Sequence, residues 1–241
     1  MSKSDIASIV FLLGHDSTTV DIARRNYSPY TWAYAYCLPT TYYFETYFYS
    51  HVLGTIMDEL NIVNATWIGS ISWKADWKTS IDVINAMITD PDIHADLLGF
   101  WEGDGEKSMS LWEQADYLHV GLMDLMVYIL QSMGESMFQI EKMKLQKPAF
   151  KPFFASYFVT RPKHMRSYIE WLSKVIDFVN TDRKAQNMIW RDSTYAGDMD
   201  VAQKIFGLSF YPMHAFLGER LLQYYFNTRR FKIMTTGEYR P

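Results

Sequence analysis

The 241-residue sequence predicts an α/β domain with a central, mostly parallel sheet flanked by helices, and three observations predict it. Short apolar runs such as ASIVFLL, TWAYAY and ATWIGSIS alternate with stretches of helical spacing, the order in which parallel strands and crossover helices follow one another. Apolar residues make up 49% of the chain and charged residues 21%, which supports a packed core and excludes a disordered chain. No internal repeat, low-complexity tract or Gly/Ser linker interrupts the pattern, so residues 1–241 read as a single domain.

Residues 7–13 (ASIVFLL) read as a buried first strand ending at Gly14-His15-Asp16-Ser17, a polar turn whose Ser or Thr caps the next helix. Residues 31–36 (TWAYAY) give the second strand, closed by Leu38-Pro39-Thr40, and a helix is expected over roughly 41–60. The third strand, 65–72 (ATWIGSIS), runs into a polar loop at 73–78. Helical spacing over 81–88 stops at Asp90-Pro91-Asp92, where both residue types favour a turn. Residues 96–101 (DLLGFW) form the fourth strand, ending in Glu102-Gly103-Asp104-Gly105.

Two helices follow, near 111–119 and 122–133, and the methionines between Met123 and Met143 read as helix core. A further strand is expected at 153–160 (FFASYFVT). Pro162 then opens a helix in which Met165, Ile169, Leu172, Ile176 and Val179 recur at three- and four-residue spacing. Shorter helices at 198–206 and 216–226 and a last strand at 231–234 complete the expectation. Ligands of parallel sheets bind outside the carboxyl ends of the strands, so the residues to examine are the strand exits.

Composition narrows the function. Lys and Arg number 23 against 27 Asp and Glu, a net charge of −4, with no basic tract to serve as a nucleic-acid footprint or an electrostatic membrane anchor. No run reaches transmembrane length, and the opening MSKSDIASIVFLLGHD lacks the layout of a signal peptide. The single cysteine, Cys37, excludes an intrachain disulfide framework, and the expected location is a reducing one, the cytoplasm. Aromatic residues make up 17% of the chain, an excess compatible with stacking on sugar rings, although any one of them is more often core. The chain carries no phosphate-cradling G-x-x-x-x-G-K-[ST], no G-x-G-x-x-G, no G-x-S-x-G and no zinc-ligand spacing.

Four blocks, in order, resemble a GT-A-like glycosyltransferase group found in bacterial polysaccharide clusters and large DNA viruses. They are Tyr42-Tyr43-Phe44-Glu45-Thr46 with the following Thr66-Trp67-Ile68-Gly69-Ser70-Ile71-Ser72-Trp73-Lys74; Phe153-Phe154-Ala155-Ser156-Tyr157-Phe158-Val159-Thr160-Arg161-Pro162; Trp190-Arg191-Asp192-Ser193-Thr194-Tyr195; and Tyr211-Pro212-Met213-His214-Ala215-Phe216-Leu217-Gly218-Glu219-Arg220-Leu221. The last is the best match. The resemblance implies a Rossmann-related GT-A fold, a nucleotide-sugar donor, a glycan acceptor and a divalent metal, usually Mn²⁺. Carboxylate-held metal neutralises the departing diphosphate.

In that group a metal-binding D-x-D sits at the exit of the third strand, which here reads Ser72-Trp73-Lys74-Ala75-Asp76. One carboxylate and one Lys stand where a carboxylate pair is expected, so Asp76 is the candidate metal ligand and Lys74 can itself neutralise the diphosphate. Of the other D-x-D spellings, Asp90-Pro91-Asp92 reads as a helix stop and Asp198-Met199-Asp200 as a helix cap before it reads as a metal site. Glu219 is the candidate general base for an acceptor hydroxyl, against the alternative that it pairs with Arg220 or Arg229 to hold its helix. His214 is a second candidate metal ligand, against a packed imidazole. Gly14, His15 and Arg220 are candidates for contact with the nucleotide-sugar, and Asp76 alternatively caps a helix starting near Thr79. The rival from another class is a non-catalytic carbohydrate-binding or scaffold domain that keeps the fold.

Overall fold

The computed structural model describes residues 8–101, 109–145, 150–154, 156–194, 203 and 206–240. Within them a six-stranded mixed sheet is flanked by helices on both faces, in the order β2-β1-β3-β5-β4-β6. The strands are β1 Ser8–Gly14, β2 Ala33–Cys37, β3 Trp67–Ser72, β4 Leu97–Gly99, β5 Phe158–Thr160 and β6 Ile233–Thr235. β1 pairs in parallel with β2 and β3, β4 in parallel with β6, and β5 lies antiparallel between β3 and β4. Every strand except β5 therefore points the same way, and the carboxyl ends of the parallel strands share one edge.

Strand alternation separates two cores. Ile9, Phe11 and Leu13 of β1 face the larger cluster, while Val10 and Leu12 face the smaller one. Helices α1 (Ser17–Asn26) and α4 (Ile81–Thr89) cover the smaller side through Ala23, Ile84 and Met87. The larger side is covered by α3 (Leu53–Glu59), α6 (Leu122–Ser132), α8 (Pro162–Thr181) and α10 (His214–Thr228). On α8 the buried face is Met165, Tyr168, Leu172, Val175, Ile176 and Val179, a stripe at the expected spacing. The remaining helices are α2 (Glu45–Tyr47), α5 (Leu111–Leu118), α7 (Met137–Glu141) and α9 (Arg183–Ile189).

β3 and β5 approach so closely at Gly69 that a Cβ there would lie 2.1 Å from the Phe158 carbonyl oxygen. Only glycine fits that crossing.

Several expectations are corrected. The run 153–160 is a strand only at Phe158–Thr160, because Ser156 has φ 57°, a left-handed turn that ends regular extension. Phe153, Phe154 and Tyr157 are buried all the same, which is why the run reads as a strand. The helix expected over 41–60 is broken: α2 leads through a π-helical turn, Phe48–Val52, into α3. Asp16, not a Ser or Thr, caps α1, accepting from the Thr19 N–H at 2.7 Å. Asp76 caps no helix, since it lies in a 3-10 turn, Ala75–Trp77, and α4 starts at Ile81 after Ser80. α7 and α9 were not expected; their signals are Ser136 and Asp182, each accepting from a first-turn N–H.

Candidate functional site

The exits of β1 and β3 lie side by side where the sheet order reverses, since the chain goes from β1 outward to β2 and then back across to β3. Ligands of open α/β sheets collect at such a point. Gly14 ends β1 and is buried, and His15 follows it, exposed. The N-terminus of α1 is already occupied, because Asp16 and Thr19 form a reciprocal capping box. At the β3 exit, Lys74 is half-buried and Asp76 is exposed beside the Tyr27 side chain. Lys78, further along, puts its Nζ over the Trp101 ring at 4.1 Å and the Tyr157 ring at 5.4 Å.

Glu219 comes to this edge from α10. Its side chain retains 30% of its surface, while Arg220, its hydrogen-bond partner at 3.1 Å, retains 2%. Burial pushes the Glu219 carboxyl above the ordinary carboxylate range, Arg220 opposes the shift, nearby Glu45 adds to it and Lys78 opposes it. Arg229 pairs elsewhere, with Glu135. Arg220 is buried with its guanidinium over the Phe154 ring at 5.3 Å. Its charge and burial hold His119 down, to about 4 with burial the larger cause. The His119 Nδ1 lies 3.2 Å from the Ser193 carbonyl and its ring stacks on Phe216 at 3.7 Å.

An aromatic wall joins the two parts. His15 meets Phe44 edge-on at 5.7 Å, Phe44 stacks on Tyr211 at 5.9 Å, and Tyr42 lies against Phe206 at 4.5 Å and Trp190 at 4.7 Å. Tyr42, Phe44, Phe206 and Tyr211 are half-buried and Trp190 is exposed, so the wall offers ring faces and edges to solvent.

The two candidate metal ligands differ in setting. His214 is 3% exposed, enclosed by Tyr42, Tyr43 and Trp190 with ring centroids at 5.5, 4.9 and 4.7 Å. Burial pushes its pKa down to about 4, so the imidazole is neutral. Asp76 is exposed at the β3 exit, and no group of three or more His, Cys, Asp or Glu among the described residues is arranged to hold a metal ion. Asp104, Asp198 and Asp200 lie outside the described residues.

Sequence reasoning marked the strand exits 73–78 and 101–105, which hold Lys78 and Trp101, but did not single out Glu45, Tyr157 or His119. Glu45 stands in a block that resembles the glycosyltransferase group. No protein-family model, curated protein or solved structure matches the chain. Among the described residues no helix is long and apolar enough to cross a membrane.

Proposed function

We propose that this chain is a GT-A-like glycosyltransferase that moves a sugar from a nucleoside-diphosphate donor to a glycan acceptor. The single observation that carries the reading is Glu219: a carboxylate of raised proton affinity, set among cations and aromatic rings at the carboxyl edge of the sheet. A base poised nearer neutral pH takes a hydroxyl proton more effectively. The four sequence blocks and the order of the strands support the same reading.

In this reaction the acceptor oxygen attacks the anomeric carbon of the donor sugar and gives its proton to the Glu219 carboxylate. The bond from the anomeric carbon to the phosphate oxygen breaks, and its electron pair leaves with the nucleoside diphosphate. Lys74 and Lys78 stabilise that charge. The acceptor ring stacks on the wall formed by Tyr42, Phe44, Trp190 and Tyr211.

A thermal-shift screen of UDP-, GDP- and dTDP-sugars, with and without Mn²⁺, tests the reading. A donor at about 100 times its dissociation constant adds about 2.7 kcal/mol of stability, an easily measured shift. No shift with any donor under either condition contradicts the proposal. Binding without turnover on any acceptor would instead assign a carbohydrate-binding domain that keeps the fold.

A further inference from the structure

The sheet has two edge strands, β2 and β6, and they are finished differently. β6 is closed by side chains. The Lys232 carbonyl and the Thr236 N–H bond to β4 and its flanks, so Ile233 and Thr235 turn their backbone groups outward. Lys151 Nζ donates to the Ile233 carbonyl at 2.7 Å, and the Glu238 carboxylate accepts from the Thr235 N–H at 3.2 Å. β2 has no such cover. The Trp32 carbonyl accepts from the Val10 N–H and the Leu38 N–H donates to the Gly14 carbonyl, so Tyr34 and Tyr36 also face β1 while Ala33, Ala35 and Cys37 turn outward. The Ala33 N–H donates to the Tyr30 carbonyl. The Ala33 carbonyl and both backbone groups of Ala35 and Cys37 have no hydrogen-bond partner among the described residues. The strand, AYAYC, holds no charge, no proline and no bulge, the devices that guard an open edge.

We propose that β2 pairs antiparallel with β2 of a second copy of this chain, joining two sheets into one across a two-fold axis. The strand's own order selects that occupant: about Ala35, AYAYC reads almost the same in both directions. The register that pairs the whole strand puts Ala35 on the axis, opposite itself. Ala35 then exchanges both backbone bonds with its symmetry mate, and each Cys37 N–H reaches the Ala33 carbonyl of the other copy. The Ala33 N–H keeps its bond to Tyr30, so neither copy gives up a bond it already makes. Tyr34, which retains 46% of its surface, comes opposite Tyr36 of the second copy, at a position where Cα atoms approach to about 4.5 Å. Within one copy both tyrosines already lie against Phe11, at 6.4 and 6.5 Å, so pairing extends an aromatic layer. On the other face only alanine and cysteine meet, and both let the backbones come close. An uncharged strand offers nothing to select a charged peptide. With 5 residues a side the contact is small, and the dimer forms in a concentration-dependent way. The proposal stands apart from the reaction assigned to the crevice.

The test is analytical ultracentrifugation of the ligand-free full chain over a dilution series from micromolar to hundreds of micromolar, comparing wild type, Ala35→Pro, Tyr34→Lys and Tyr117→Lys. Ala35→Pro removes an N–H that faces away from β1 and so leaves the chain's own ladder whole. Tyr34→Lys sets a charge on the edge, and Tyr117, 72% exposed on α5, is the control. Wild type and Tyr117→Lys shift from monomer to dimer mass as loading rises. Ala35→Pro and Tyr34→Lys raise the dissociation constant at least about tenfold, the scale of two lost backbone hydrogen bonds. Hydrogen exchange of the wild type reads the same contact should a variant not fold: the Ala35 and Cys37 amides slow as concentration rises, while the Ala33 amide, already bonded, does not. A wild type that stays monomeric at every loading overturns the proposal. So does a dimer undiminished in folded Tyr34→Lys or Ala35→Pro, or concentration-dependent protection that spares Ala35 and Cys37.

Discussion

The two ends of the sheet are built on opposite principles. At the amino end of β3 and β4, Arg161 lies flat on the Trp67 ring at 3.6 Å and donates to the carbonyls of Ala95, Thr66 and Ile93. Asp96 accepts from the Lys232 N–H at 2.9 Å and lies 3.2 Å from His164 Nε2. A cavity of about 500 Å³ opens there, lined by Arg161, Lys163, Lys232 and Asp96, yet these charged groups largely serve the backbone around them. The carboxyl end is different. There the His214 Nδ1 and Trp101 Nε1 are buried with no hydrogen-bond partner among the described residues, while positive φ occurs at both ends, at Phe44 and Ser156 here and at Asn61 and Arg230 before β3 and β6. The amino end has one such atom, the Trp67 indole nitrogen. Buried polar atoms without partners are the difference between the two ends, and cavity volume alone does not mark a functional place.

Substitutions separate the two ends by what they cost. Glu219→Gln is expected to lower turnover by about 10²–10⁴-fold while donor affinity holds. Its thermal stability at neutral pH should hold or rise, since the fold disfavours the ionised carboxyl. Arg161→Met should do the reverse, losing on the order of 3 kcal/mol in urea unfolding by orphaning backbone carbonyls while donor affinity stays unchanged. Gly218→Ala forces a methyl group into Thr46 and should cost about 1–3 kcal/mol.

pH sharpens the contrast. His119 and His214 titrate near 4 in the folded chain, below the unfolded value of about 6.5. The unfolded chain therefore binds their protons first, and stability falls as pH drops from about 6.5 toward 4. Glu219 acts in the opposite sense: its folded value is raised, so its contribution is lost as pH rises through that value. Asp96 is lowered overall: burial raises it, but the Lys232 N–H and His164 outweigh burial, so its contribution is lost only as pH falls below the usual carboxylate range. His214→Phe should accordingly flatten the melting-temperature curve between pH 6.5 and 4, while Asp96→Asn leaves that window alone. The smallest effect is Asp16→Ala, which removes the α1 cap and should cost about 0.5–2 kcal/mol in thermal unfolding, sparing Glu219.

The sequence made β1, β3 and α8 legible to within one or two residues because each buries a run or stripe with the correct period. It did not reveal that β5 runs backwards between β3 and β4, since strand direction leaves no periodic mark. The π-helical turn at Phe48–Val52 was hidden for a related reason: aromatic residues on several faces suit a helix of any register. Glu219 was legible from the block around it and its place near the last strand. The close contact between Thr46 and Gly218 was not, because no local pattern encodes a meeting of residues so far apart in the chain.

The most direct test of the claim that the chemistry sits at the carboxyl end is hydrogen exchange with and without the nucleotide-sugar that gives the largest thermal shift. The account predicts slowed amide exchange at residues 14–19, 44–47 and 72–78, with residues 94–96, 161–163 and 232 unchanged. Protection confined to those amino-end residues, with the β1 and β3 exits unaffected, would contradict it.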